Sequence, residues 1–183
     1  GSEPVEAPLK VEEDCPYFLW LSRVHRYKGI WIALKAFERF AKKHDGVKLY
    51  VAGDGPVLTK LPDWLKQHGL SDRVVLCGYV SRDRKLELMS RAIALVQTSY
   101  KEGWGLTVVE AAQLDTPTIA SDVPGLRDSV KNGETGILFP VGDVASCALA
   151  MERLYVEPET RERFATSAKA YAKTFSWDVA AEK

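Results

Sequence analysis

Six short apolar runs, at residues 17–21, 47–52, 74–77, 93–97, 118–120 and 136–139, alternate along the chain with stretches of helical spacing. Runs this short and continuous suit strands covered on both faces, and Tyr17-Phe18-Leu19-Trp20-Leu21 is the plainest of them. Between the first two runs, Ile30, Ala33, Leu34 and Phe37 recur at the spacing of one helix face. Ser81 caps an expected helix over 81–89, and Asp143 caps another that reaches about residue 155. Pro158 opens a further helix to about residue 173, a short one is expected over 124–130, and a helix over 58–68 is expected to break at Pro62. Such alternation predicts an α/β fold: a doubly wound parallel sheet of about six strands joined by right-handed crossovers. The chain has 183 residues, 46% of them hydrophobic, which suits one domain with a full core.

Open sheets of this kind take ligands beyond the carboxyl ends of their strands. The loops at those ends hold Arg23 and Lys28, Gly53 and Gly55, residues 78–81, residues 102–107 and residues 121–125. The fourth is the most informative. A strand over 93–97, a turn with Gly103 and Gly105, and a helix over 106–114 follow one another closely. Unpaired amides at a helix N-terminus receive anions, and glycines let backbone approach a ligand. Glu102 lies just before this helix and Glu110 one turn inside it. Carboxylates repel phosphate but accept hydrogen bonds from vicinal hydroxyls, so the combination suits a phosphate flanked by sugars, as in a nucleotide sugar. The alternative is a helix terminus that favours acidic residues for its dipole, with the glycines serving only the turn.

Arg23 and Lys28 combine a planar fork with a point charge, which suits a diphosphate; a merely solvated basic loop with His25 and Arg26 is the alternative. Gly53-Asp54-Gly55-Pro56 is not a dinucleotide fingerprint, because Leu58 stands where the third glycine would be, and no glycine loop ends in Gly-Lys-Ser or Gly-Lys-Thr. Gly78-Tyr79-Val80-Ser81 reads equally as a turn with a helix cap. His25, His44 and His68 are dispersed and there is no Asp-x-Asp pair, so neither a metal nor another cofactor is expected. Trp20, Trp31, Trp64 and Trp177 are expected to pack, leaving Trp104 in a candidate site. Twenty-five basic residues balance 25 acidic ones, which gives no field to draw nucleic acid. No apolar run approaches a membrane span and no signal peptide is visible. Cys15, Cys77 and Cys147 form no C-x-x-C and suit reduced thiols in a cytoplasmic protein.

Glu102-x7-Glu110, with Gly-Trp-Gly-Leu between, resembles the E-x7-E signature of group 1 (family 4) retaining glycosyltransferases. The resemblance covers residues 17–178 and implies the Rossmann-like, C-terminal half of a GT-B architecture. It implies that Glu102 holds donor-sugar hydroxyls, that Glu110 holds the ribose diol, and that Arg23 and Lys28 neutralise the diphosphate. Gly53 and Gly55 would line the nucleotide cleft and Tyr79 and Val80 would meet the base. Gly103, Trp104, Gly105, Leu106 and Thr107 would complete the donor site. The Arg23 loop resembles a G-R-x4-K-G segment with Ser22 in place of its glycine, and Phe175-Ser176-Trp177 resembles the close of the domain. Pro124 and Asp128 depart from the family pattern and are given no ligand role; Asp115 stands where glycine is usual, a turn an aspartate tolerates. Gly1-Ser2 reads as a cloning scar, residues 1–16 as scar and interdomain linker, and residues 17–183 as the donor-binding domain of a longer protein. Its N-terminal acceptor domain would be absent, and any peripheral membrane attachment would reside there. The expected partner is a nucleotide diphosphate sugar; base, sugar and acceptor are not legible. The alternatives are a non-catalytic nucleotide-binding regulatory module and a nucleotide-sugar epimerase of the same architecture.

Overall fold

The computed structural model describes residues 15–181, and all six expected strands are present as one parallel sheet. They are β1 (Tyr17–Leu21), β2 (Lys48–Ala52), β3 (Val74–Gly78), β4 (Leu95–Gln97), β5 (Thr118–Ser121) and β6 (Gly136–Phe139). Their order across the sheet is β3-β2-β1-β4-β5-β6. The chain winds outward from β1 to β3, then crosses back to β4 and winds the other way. The order therefore reverses between β1 and β4, which pair directly through Leu19↔Leu95 and Trp20↔Val96.

Alternate strand residues fill two cores. Phe18 and Trp20 of β1, Leu49 and Val51 of β2, Val96 of β4 and Ile119 of β5 face one side of the sheet. Tyr17, Leu19, Tyr50, Ala52, Leu95 and Ala120 face the other. Both faces are apolar because helices cover both, and so the strands read as continuous apolar runs.

On the first side lie α1 (Ile30–Ala41), α2 (Leu61–Gln67) and α6 (Val144–Val156). The expected face of α1 is realised, with Ile30, Ala33, Leu34 and Phe37 fully buried. Burying each large side chain contributes about 1.5–3 kcal/mol. On the second side lie α3 (Arg82–Arg91), α4 (Leu106–Gln113) and α5 (Pro124–Arg127), while α7 (Pro158–Ala181) packs on α4 through Ala168 and Ala172.

Most caps follow the expected chemistry. The Ser81 hydroxyl accepts from the Arg84 amide, and the Asp143 carboxylate accepts from the Ser146 hydroxyl and amide, which hold its pKa below the usual range. Asp115 adopts the left-handed backbone, at φ 62°. The break expected at Pro62 falls earlier: residues Leu58–Lys60 form a 3-10 turn, and α2 begins at Leu61. Pro62 sits in the first helical turn, where its missing N–H would have had no partner. Helix α5 stops at Arg127 rather than near residue 130, and α7 runs past residue 173. The linker expected over residues 1–16 lies almost wholly outside the described residues, as does the side chain of Trp177.

Candidate functional site

Strand order reverses between β1 and β4, the place beyond whose carboxyl ends open sheets of this kind bind ligands, and the exit loops of these two strands are locked together there. Buried Thr98 is the lock. Its hydroxyl accepts from Trp20 Nε1 at 3.0 Å and donates to the Gly29 carbonyl at 2.7 Å. The Tyr100 amide donates to the Tyr27 carbonyl at 3.0 Å. Gly29 has φ 75°, and a β-carbon there would overlap the Thr98 carbonyl. The small residue after Lys28 is thus required by how closely the two loops approach.

This junction brings Lys28 and Glu102, 74 residues apart in sequence, into direct contact. Lys28 Nζ lies 2.6 Å from Glu102 Oε1, and the Ser99 hydroxyl donates to the same oxygen at 2.7 Å. The two side chains are only 19% and 15% exposed. Among the described residues Glu102 Oε2 has no partner, so the carboxylate retains an acceptor for a ligand hydroxyl.

Helix α4 begins directly beyond. Its N-cap, Gly105, offers no side chain, and the amides of Leu106, Thr107 and Val108 have no acceptor among the described residues. Three amides with partial positive charge therefore point out of the fold beside a cation and a carboxylate. A β-carbon on Gly105 would strike the Ser129 hydroxyl, so this glycine serves packing. Gly103 differs: its φ is not left-handed and nothing lies within 4 Å of a β-carbon placed there.

The loops after β2 and β3 join the same edge. The Val24 amide donates to the Asp54 carbonyl at 2.9 Å and the Gly53 amide to the Gly78 carbonyl at 2.7 Å. Gly53 and Gly55 lie so near the Ser22 and Val24 carbonyls that a β-carbon on either would overlap them. The two glycines read as ligand-facing are thus needed where one loop crosses the other.

Not every predicted residue touches another. Arg23 is exposed, and its guanidinium has no hydrogen bond or ion pair among the described residues. Tyr79 is 75% exposed, and Val80 packs partly on the core beneath it. Trp104 leans edge-on against Phe175 of α7 at 5.2 Å, so packing takes part of its ring. Glu110 is held by a partner the sequence did not single out: Lys85 Nζ of α3 lies 2.9 Å from its Oε2. Only the packing of α3 against α4 brings that pair together, so no local signal announces it.

Among the described residues no group of three or more His, Cys, Asp and Glu side chains could hold a metal ion, and no helix is long and apolar enough to cross a membrane. Burial pushes the Cys77 thiol up to about 11 and that of Cys147 beyond the ordinary range, which keeps both protonated and unreactive.

A family model for glycosyl transferases group 1 matches residues 3–171. The D-inositol 3-phosphate glycosyltransferase of Thermomonospora curvata is 39% identical over 192 aligned positions, covering 100% of this chain and 44% of that protein. The glycogen synthase of Mycobacterium tuberculosis is 32% identical over 164 residues, 89% of this chain and 40% of that protein. The chain thus spans less than half the length of these relatives. Among solved structures, Anabaena HepE in complex with UDP-glucose superimposes with a TM-score of 0.81 at 22% identity, over 88% of this chain and 44% of that one. That last likeness is one of fold.

Proposed function

The chain belongs to the group 1 glycosyl transferases, and on that premise we propose that it is the donor-binding, C-terminal half of a two-domain enzyme that moves a sugar from a nucleotide diphosphate sugar to an acceptor hydroxyl. The observation that carries the proposal is the junction of the β1 and β4 loops. There a lysine, a carboxylate with a vacant oxygen and three unpaired helix amides meet at one end of the sheet. Arg23, Lys28 and the amides would take the diphosphate, whose negative charge grows as the bond to the sugar breaks. Glu102 would orient the sugar through its free oxygen, and Glu110 would take the ribose diol, the two acids of the E-x7-E signature. Tyr79 and Val80 would border the base, Trp104 and Gly103 the sugar. The sugar would leave with retained configuration, and the N-terminal domain would bring the acceptor. Free thiols at Cys15, Cys77 and Cys147 suit a reducing, cytoplasmic setting.

Two relatives of comparable similarity are named for different acceptors, so the acceptor does not follow from similarity. The donor is open to direct test. Titration of the chain with uridine, guanosine and adenosine diphosphate sugars should show binding by at least one and no transfer by the chain alone. Turnover without a second domain would overturn the two-domain reading. Absence of binding across the panel would overturn the donor site.

The Glu110–Lys85 pair gives a second expectation. Glu110→Gln should weaken ribonucleotide diphosphate binding by about 1.5–3 kcal/mol, the range for hydrogen bonds to charged groups. Lys85→Met should cost less, on the order of 0.5–1 kcal/mol, because it removes only the ion that fixes the carboxylate. A 2′-deoxyribose nucleotide should be nearly indifferent to both. If the deoxy ligand responds as the ribose form does, Glu110 has no role at the diol.

A further inference from the structure

The 3-10 turn over Arg26–Lys28 carries cations into two different surroundings. Lys28 reaches inward to Glu102, whereas Arg26 borders a groove of about 390 Å3 between α1 and α2. Trp31, Lys35, Val57, Lys60 and Trp64 line the rest of it. That volume is ample for a small ligand, within the range of roughly 300–1,000 Å3 typical of such sites.

Two features mark the groove. First, its charged lining is entirely basic, and among the described residues Arg26, Lys35 and Lys60 form no ion pair. In a chain of zero net charge this is a local excess of three positive charges. Of the neighbouring acids, Glu38 is bonded to His68, and Asp63, exposed in the first turn of α2 where its charge favours the helix N-terminus, is not part of the lining. Second, the floor holds two indoles, with ring centroids 5.9 Å apart and tilted by 57°. Both are half-buried, and the His68 ring stacks on Trp64 at 3.9 Å.

We propose that this groove binds an anionic saccharide. The electron-rich face of an indole packs against the weakly positive C–H face of a sugar ring. Arg26, Lys35 and Lys60 around that platform pair with carboxylate, sulfate or phosphate groups on the sugar. Tilted, half-buried rings with one face taken by His68 do not form the series of open platforms on which successive bases stack. A membrane surface takes aromatic and aliphatic side chains that stand out from a basic face, whereas Trp31, Trp64 and Val57 are all half-buried. The groove meets the candidate transfer site through the single turn that holds both Arg26 and Lys28. A saccharide bound here is thus placed to be a segment of the acceptor. That assignment rests on the function proposed above; the binding does not.

Calorimetry on the 183-residue chain tests it with hexagalacturonate and a heparin hexasaccharide, against neutral maltohexaose, an oligothymidylate and phosphatidylserine vesicles. At least one acidic hexasaccharide should bind more tightly than maltohexaose by about tenfold or more. Lys35→Glu combined with Lys60→Glu, both on exposed side chains, should abolish that preference and leave binding of the uridine, guanosine or adenosine diphosphate intact. The inference fails if neither acidic sugar binds, if charge reversal changes nothing, or if the oligothymidylate or the vesicles bind more tightly than the sugars. Failure of all three nucleotides to bind the unaltered chain would sink the donor reading alone.

Discussion

Gly53→Ala is expected to lower the melting temperature of the chain by roughly 5–20 °C, or to prevent folding. Gly53 has φ 137°, where side chains are strained, and its β-carbon would overlap the Ser22 carbonyl. Strain in such a region costs about 1–3 kcal/mol, and overpacking adds about 1–3. For a domain of this size each kcal/mol shifts the melting point by about 2–4 °C. The site also lacks slack, because the Gly53 amide is bonded to Gly78 and the Ser22 amide to Ala52. Two controls separate strain from overlap. Gly46 has φ 76° but nothing within 4 Å of a β-carbon, so Gly46→Ala should cost only about 1 kcal/mol. Gly103 has neither problem, and Gly103→Ala should melt with the unaltered chain while weakening donor binding, if backbone faces ligand there. Wild-type melting of Gly53→Ala would mean that the loops after β1 and β2 do not cross as described.

These glycines show what the sequence could and could not reveal. A strand announces itself locally: the apolar runs of β1 to β6 are dictated by helices on both faces, and every strand was found within a few residues. Caps are local too, as Ser81 and Asp143 illustrate. A glycine is ambiguous, because a turn, a bound ligand and a crossing backbone all demand the same missing side chain. Gly53, Gly55 and Gly105 are required by neighbouring protein atoms, and only Gly103 of the four faces open space. The shape of the site was legible as a set of loops at strand ends. Its pairings were not. Lys28 with Glu102 and Lys85 with Glu110 are made by strand order and helix packing, which no stretch of residues records alone. Pro62 is ambiguous for a related reason: a proline breaks a helix interior but suits a first turn, and nothing local in the sequence marks the start at Leu61.

The Lys28–Glu102 contact leads to a prediction with opposite signs for its two members. Lys28→Met should weaken binding of a nucleoside diphosphate by about 1.5–3 kcal/mol, roughly tenfold to a hundredfold, because it removes a hydrogen-bonded cation. The matching nucleoside should lose little. Glu102→Gln removes the carboxylate that occupies Lys28 at 2.6 Å without ligand, so a diphosphate no longer competes for the ammonium. Binding of the nucleoside diphosphate should then hold or tighten, by no more than about 1 kcal/mol for a pair of this partial exposure. Turnover should move the other way. In an enzyme completed with its second domain, Glu102→Gln should lower kcat far more than donor affinity, as loss of an interaction stronger in the transition state requires. The double variant tests whether the residues act as a pair: its effect on diphosphate binding should match Lys28→Met alone, since Glu102 acts on that ligand only through Lys28. An additional loss on adding Glu102→Gln to Lys28→Met would show the carboxylate touching the diphosphate side of the ligand. Equal losses of nucleoside and nucleoside diphosphate in Lys28→Met would mean that the lysine supports the β1–β4 loop junction and not the charge of the ligand.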